Sequence, residues 1–589
     1  MSRLRRLGGR RSVVLAAVLA VALFPQVVDN RYYLFLGSTL ALYVLVATGM
    51  NVLAGFTGQY SIAQGALGAY TAANLTVLHG WSLWPAAVAS LAVPAVAAAV
   101  LSLPSVRLSR WYFAMITVLI ASLVQQFLLQ ARDLTGGGGG LAGIPGLGPG
   151  GQAPDPIVTF YVLALIDGVA IWASWNLLRS PWGRAMMAVR DADVAAQASG
   201  VSLPAAKLLA FVLSALAAGL MGVLYASLNG AVAPDLFSLD LGILILLMIV
   251  VGGAGLIEAP LLGPLALFAL PTLLFGLARY RLFVYGVLLL LVMAFAPAGL
   301  GGGIRALLAR RRPPPRLEAA PARPALPAAV ARDGLALETR GLRRGFGGVL
   351  ALDGVDLRVE AGTVQGIIGP NGSGKTTLLN TISGFYPPEA GRVLVGGRDV
   401  TGWPPHRLPR AGVARTFQQP RALPDESALV NVLLGAFSVR RATLPEWMLR
   451  VGRARAEDRR LRAAAVELLA FVGLSGLEDA PAGLLPHGQL RLLEIARALA
   501  ARPAVLLLDE PAAGLGPEEL DRLAALVRSL RDARLTVLLV EHHIDFLTDL
   551  ADRLAVMNAG RLLAQAAPAE ALSEPEVVAA YLGAAARTV

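Results

Sequence analysis

The sequence predicts a multidomain chain: an all-α polytopic membrane bundle of about ten spans, followed by an α/β domain built around a phosphate loop. Three observations predict it. Of 589 residues, 56% are hydrophobic and only 15% charged, a balance ordinary for membrane proteins and extreme for soluble ones. The apolar residues are unevenly spread, with 12–300 almost continuously apolar and most charge beyond 303. The polar half carries GPNGSGKTT at 369–377, a glycine-rich loop between a strand-like and a helix-like stretch. These features divide the chain into a membrane region at 1–304, a Pro/Ala/Arg-rich linker at 305–332 and an α/β domain at 333–589.

Stretches long enough to cross the hydrocarbon layer lie near 12–29, 32–54, 60–79, 82–103, 111–130, 157–177, 206–229, 236–254, 257–276 and 282–299. An even count puts both ends on one side. The arginine-rich RLRRLGGRR at the start and RALLARRRPPPR at 305–316 make that side cytoplasmic. LSR at 108–110 and the long segment 179–207 also fall inside, whereas Arg279 and Arg281 fall outside and argue locally against the count. The basic start and apolar VVLAAVLAVALF also fit a secretory signal, but further apolar spans follow at once, so a first membrane helix is the reading taken. The glycine- and proline-rich loop 135–156 is external, either a close-fitting lid or a flexible link. Thr57, Gln59, Tyr60, Ser61 and Gln64 are polar within an apolar span; they line a path or bond helix to helix. No regular pattern of intramembrane acids and bases supports a proton relay. RAMMAVRDADVAAQASG at 184–200 has apolar residues at helical spacing, which predicts a short helix across the membrane face, ended by Gly200. Such a helix docks on a soluble motor or rests on the bilayer.

The net charge of +12 comes largely from arginines at the membrane edges, and without interleaved aromatics it does not indicate nucleic acid. Cysteine is absent, which removes disulfides and thiolate chemistry. Lysine occurs only at Lys207 and Lys375. The second of these sits in the phosphate loop. There Gly369, Asn371, Gly372, Ser373 and Gly374 let backbone N–H groups wrap the phosphates of ATP, Lys375 reaches the β- and γ-phosphates, and Thr376, followed by Thr377, holds Mg²⁺. The apolar strand VLLLDEP ends in Asp509, suited to the Mg²⁺ shell, and Glu510, placed to polarise an attacking water. A further strand, LTVLLVEHH, puts His542 just past its end, either as a surface histidine or in contact with the γ-phosphate.

With these motifs in order, the second half resembles the ATPase subunit of an ABC transporter. The resemblance implies that Phe346 stacks on adenine and that Gln418, in RTFQQ, senses Mg²⁺ and water while facing the membrane partner. It implies that Leu485, His487, Gly488 and Gln489 of LPHGQ form the signature loop, which caps the nucleotide of an opposing ATPase. AGVARTFQQ, RLLEIARALA, LLLDEPAAGLGPEE and LLVEHHIDFL are similar to the first ATPase of branched-chain amino acid importers. MNVLAGFTGQYSIAQGALGAYTAA and PWGRAMMAVRDADVAAQASGVSLPAAK are similar to their permease, with the coupling helix in 179–207 and Gln418 near it.

Two positions depart from the family pattern. Pro486 replaces a serine whose hydroxyl would donate to the γ-phosphate, leaving the Gly488 N–H and the helix dipole to face it. Gly516 stands where many relatives have an aspartate that couples two ATP sites. The resemblance implies uptake across a bacterial inner membrane with the ATPase domain and both termini cytoplasmic. The solute is a branched-chain amino acid, or alternatively urea, a short amide or another small amino or organic acid. It implies a separate permease, a separate ATPase and a periplasmic or lipid-anchored binding protein as partners, with a homodimer as the alternative. A membrane-anchored ATPase that transports nothing predicts a bundle without a path. An exporter predicts about six longer spans, so the many short, glycine-rich spans fit a type II importer shape better.

Overall fold

The computed structural model describes residues 19–28, 30–59, 64–108, 110–269, 280–309, 325–328 and 332–579. They form two compact units: one runs to Leu178 and resumes over Pro204–Pro313, and the other comprises Arg179–Leu203 and Pro314–Val589.

Among its described residues, the first unit has helices and one ribbon of two two-residue strands. Its helices are α1 (Arg31–Met50), α2 (Gln64–Ala73), α3 (Leu83–Arg107), α4 (Arg110–Gln130) and α5 (Pro156–Arg179). Two helices of the second unit, α6 (Pro181–Asp191) and α7 (Asp193–Ala198), come next in the chain. The first unit then resumes with α8 (Leu203–Asn229), α9 (Leu239–Gly252), α10 (Ala259–Pro264), α11 (Arg281–Phe295) and α12 (Gly299–Ala309). Among the described residues, six helical stretches are long and apolar enough to cross a membrane: Arg31–Gly55, Leu83–Arg107, Tyr112–Gln130, Pro156–Arg179, Leu203–Asn229 and Phe283–Leu307. Of the other expected segments, 236–254 holds the shorter helix Leu239–Gly252; 60–79 and 257–276 are described only over 64–79 and 257–269. Residues 12–18 and 29 of the first expected span, together with Tyr60, Ser61, Arg279 and the arginine-rich run 310–316, lie outside the described residues. π-helical turns at Asn51–Gly55, Asn74–Leu78 and Leu265–Ala269 follow α-helical runs, a change of hydrogen bonding that an unbroken apolar sequence does not encode.

Small residues bring these helices together. A Cβ on Gly68 would lie 2.5 Å from the Gly219 Cα, and one on Gly222 would lie 2.3 Å from the Gly65 carbonyl oxygen, so α2 and α8 meet backbone to backbone. Hydroxyls are satisfied locally: Thr57 Oγ1 donates to the Leu53 carbonyl at 2.7 Å. Asn51 works at longer range, donating to Leu256 O and accepting from Gly255 N, both at 2.9 Å, which pins the loop after α9. The 135–156 loop is held rather than loose. Leu141–Ala142 pairs antiparallel with Ala231–Val232, and the Ser227 hydroxyl donates to Pro145 O at 2.8 Å.

The second unit contains the α/β domain. Its strands are β1 (Leu337–Phe346), β2 (Val349–Val359), β3 (Val364–Ile368), β4 (Ala390–Val395), β5 (Arg398–Asp399), β6 (Val413–Arg415), β7 (Val505–Asp509), β8 (Thr536–Val540), β9 (Arg553–Asn558) and β10 (Arg561–Ala566). Six form one sheet in the order β10-β9-β3-β8-β7-β6, parallel except at β10, and four form an antiparallel sheet β2-β1-β4-β5. β3, β7 and β8 are buried at every residue, as a parallel sheet covered on both faces requires. On one side Ile367, Leu507 and Val540 pack with Leu337, Leu357 and Leu379. On the other, Leu506, Leu508 and Leu539 pack against the helical layer. The helices used below are α13 (Lys375–Ile382), α14 (Ala428–Gly435), α15 (Arg453–Phe471), α16 (His487–Ala500) and α17 (Pro517–Asp532).

α6 and α7 belong to this unit. Ser180 caps α6 by accepting the Gly183 N–H at 3.2 Å, and α6 buries Ala185, Met186, Ala188 and Val189. The Trp182 ring meets Phe437 edge-on at 5.6 Å, with the Arg440 guanidinium 4.3 Å from its centre. Arg184 is buried and donates to Arg179 O at 2.9 Å; burial pulls its pKa down to about 10, Arg462 adds to that, and Asp458 and Glu426 oppose it. Gly200, at φ 90°, follows α7 where a Cβ would come within 3.0 Å of Ser438, so this approach requires glycine.

Candidate functional site

The site lies at the carboxyl ends of β3 and β7, where a parallel sheet opens toward ligands. After β3 the chain turns through Gly369–Gly374 into α13. Gly374 has φ 101°, and a Cβ there would stand 2.4 Å from Ala351 O, so neither the turn nor its packing admits a side chain. Asn371, Gly372 and Thr376 are exposed, while Ser373 and Lys375 are buried. The Lys375 ammonium donates to Gly369 O at 2.7 Å and Pro370 O at 3.0 Å, so it lies beneath its own loop. Burial lowers its pKa, against the opposing pull of Glu510 and Asp509.

β7 delivers the two acids to different surroundings. Asp509 accepts from Arg415 at 2.8 Å; both side chains are almost fully buried. Arg415 also donates to Asn380 Oδ1 and Ser383 Oγ, each at 2.7 Å. Burial pulls the guanidinium pKa down and Asp509 pulls it back. Glu510 sits one residue past the strand at φ 47°, a left-handed conformation costing a non-glycine residue about 1–2 kcal/mol, and is held by its N–H to Val540 O at 2.9 Å. Each carboxylate oxygen has one partner: Gln418 Nε2 donates to Oε2 at 2.7 Å, and His542 Nε2 meets Oε1 at 2.8 Å. Three residues named separately from the sequence thus converge on one carboxylate. Beside them Glu541 is buried and accepts the Ala512 N–H at 2.6 Å; burial raises its pKa.

Phe346, at the end of β1, is 41% exposed, edge-on to Tyr386 at 5.1 Å and 4.9 Å from the Arg344 guanidinium. It is open to a planar partner. Leu485 is buried, Pro486 is the N-cap of α16, and His487 is exposed at the first helical position. A Cβ on Gly488 would stand 2.1 Å from Glu519 Oε1, and the Glu519 carboxylate accepts the Gly516 N–H at 3.1 Å. Glu519 thus stands between the signature glycine, Gly488, and Gly516, the second departure from the family pattern.

Sequence reasoning missed Arg415 and the charges inside α16. Arg491 donates to Phe417 O at 2.8 Å, Arg497 to Arg421 O at 2.6 Å, and Glu494 accepts the Arg421 N–H at 2.8 Å. These bonds fasten the Gln418 segment to the signature helix. Charged residues at buried helical positions in RLLEIARALA are the signal that pointed to them. Gln418 faces Glu510, and the contacts of α6 and α7 run to α14 and to the 405–407 and 436–439 turns. Thr376, Gln418 and Asp509 offer oxygen donors of the kind Mg²⁺ takes. Among the described residues, no group of three or more His, Asp or Glu that could hold a metal ion is present.

Residues 32–293 match a family described as branched-chain amino acid transport system, permease component, and 352–513 match the ABC transporter family. Over 248 residues the chain is 40% identical to the high-affinity branched-chain amino acid transport ATP-binding protein BraF of Pseudomonas aeruginosa, covering 42% of this chain and 97% of that one. It is 37% identical to the probable branched-chain amino acid transport ATP-binding protein LivG of Archaeoglobus fulgidus, covering 42% and 95%. The LivG protein of Escherichia coli K12 is 36% identical, over 42% and 97%.

Proposed function

We infer the function from family membership: the chain belongs to the ABC transporters of the branched-chain amino acid type, with a permease domain and an ATPase domain related to LivG and BraF in one polypeptide. It is a multi-pass inner-membrane protein whose ATPase activity is coupled to transport. The transported solute is a branched-chain amino acid or a related small solute, a reading supported by the relatives of both halves. A cavity of about 30 Å³ among α1, α2, α4, α8 and α9, lined by Met50, Ser214, Met221, Phe237, Ser238 and Ile245, holds no more than a water-sized group, so it does not itself select the solute.

The observation that carries the proposed chemistry is the Glu510 carboxylate, fixed at both oxygens by Gln418 and His542 next to the Lys375 loop. Glu510 accepts the proton of the attacking water, and its two partners orient it for that step. Asn371, Gly372, Ser373, Gly374, Lys375 and Thr377 cradle the phosphates, with Gly369 setting the loop, and Phe346 stacks on adenine. Thr376, Asp509 and Gln418 hold Mg²⁺, which when bound neutralises charge on the phosphates. Leu485, His487, Gly488 and Gln489 cap the nucleotide of an opposing ATPase, so one chain does not complete a site by itself. A separate permease, a separate ATPase and an external binding protein complete the machine. Domain limits at 1–304, 305–332 and 333–589, and about ten spans, complete this reading.

The test is ATP turnover by the purified chain in lipid, alone and with candidate partner permease, ATPase and binding protein, across a panel of solutes. Turnover stimulated by a branched-chain amino acid only in the assembled complex supports the reading. Turnover that no solute changes in any assembly rejects transport, and stimulation by the chain alone replaces the heteromer with a homodimer.

A further inference from the structure

Away from the nucleotide site, the second unit carries an open cavity of about 460 Å³ whose lining includes six arginines and no carboxylate. Arg332 comes from the start of the described α/β domain, Arg410 from the short helix Leu408–Ala411, and Arg440 and Arg441 from the turn after 436–439. Arg460 comes from α15, and Arg502 from the loop after α16. Among the described residues, none of the six pairs with a carboxylate. The nearby acid, Glu457, is turned inward, its oxygens taken by the N–H groups of Arg441 at 2.6 Å and Ala442 at 2.7 Å. Arg502 stands at φ 56°, a helix-end position where glycine carries no strain. Like charges gathered in this way repel one another unless an anion neutralises them.

The cavity has an apolar neighbour. A second space, about 220 Å³, shares Val439, Arg460 and Arg502 with it and continues between Leu461, Ala464 and Leu468. Guanidinium forks match phosphate oxygens in pairs, and an adjoining greasy alcove accepts an alkyl or acyl group. We propose that the two spaces form one binding site for a phosphorylated amphiphile, the phosphate on the arginines and the apolar tail between α15 and Val439. An anionic membrane phospholipid and a soluble acyl or alkyl phosphate share that chemistry.

The site also has a route to the rest of the machine. Arg440 lines it, donates to Phe437 O at 2.7 Å, and lies against the rings of Phe437 and Trp182 at 3.6 and 4.3 Å. A bound phosphate competes with those rings for the guanidinium and so loosens the seat of α6. This regulatory half rests on the transport reading; the binding half does not.

The experiment uses the full chain in zwitterionic lipid discs, with a non-hydrolysable ATP analogue filling the phosphate loop. Dodecyl phosphate binding is measured by calorimetry for the wild type and for Arg410→Gln/Arg460→Gln, two exposed residues remote from Glu510. The expected result is binding that weakens about tenfold or more in the double variant, with basal ATP turnover unchanged. Inorganic phosphate binding as tightly as dodecyl phosphate overturns the apolar half. An oligoglutamate peptide binding as tightly overturns phosphate recognition, and undiminished binding in the double variant overturns the site. Repeating the titration in discs containing anionic phospholipid separates the sources: lost dodecyl phosphate binding assigns the membrane lipid, retained binding the soluble one. If dodecyl phosphate binds but no solute stimulates turnover in any assembly, the site stands and the transport reading falls.

Discussion

At the scale of single residues, Glu510 and Arg415 make opposite demands on the same strand end. Replacing Glu510 with Gln removes the water's proton acceptor but leaves the phosphate loop untouched. Turnover in the assembled complex should fall at least about 100-fold while ATP binding, read by a fluorescent nucleotide, persists. Arg415 touches no nucleotide group in this reading; it neutralises Asp509 inside the protein. Arg415→Ala leaves a buried carboxylate alone, a loss of about 3 kcal/mol that a lowered thermal midpoint would register. Glu541 supplies a pH signature. Because burial raises its carboxyl pKa, the folded chain binds that proton more tightly than the unfolded chain does. Its contribution is full below the ordinary carboxylate range and is lost as pH rises through the raised folded value. Wild-type stability relative to Glu541→Gln should therefore decline with pH across that window, and parallel melting curves would refute the assignment. Motif spacing exposed Glu510 and Lys375 because phosphate chemistry restricts their residue types. Arg415 stayed hidden because its partners, Asn380, Ser383 and Asp509, lie 35, 32 and 94 residues away.

At the scale of elements, the single short helix expected in 184–200 is two helices, α6 and α7, seated on the α/β domain through Trp182. Trp182→Ala removes both the edge contact with Phe437 and the surface beneath Arg440. Basal turnover should be kept and solute stimulation lost; loss of both together would mean that the helix supports the fold rather than coupling. Gly488→Ala tests the junction of α16 with α17. Its Cβ must displace Glu519, which then releases the Gly516 N–H. A capped α17 and an open signature loop become incompatible, so turnover should drop with little change in thermal midpoint. Hydrophobic periodicity located the long helices but not the interruptions at 51–55, 74–78 and 265–269, because a π turn changes hydrogen bonding without changing composition.

At the scale of the molecule, the division into an apolar half and a phosphate-loop half was legible because two solvents, lipid and water, select two compositions. Less legible was the allegiance of Arg179–Leu203, which lies in sequence between two membrane helices yet belongs to the α/β unit. The chain passes between its units three times, at 178/179, 203/204 and 313/314. The α/β domain and the helices on either side of Arg179–Leu203 belong to one polypeptide. Any encounter between them is therefore unimolecular, governed by the effective concentration that the connecting chain sets rather than by cellular concentration. The ratio of this ATPase domain to this permease domain is fixed at one to one by translation itself, with no separate regulation of two messages needed to balance them.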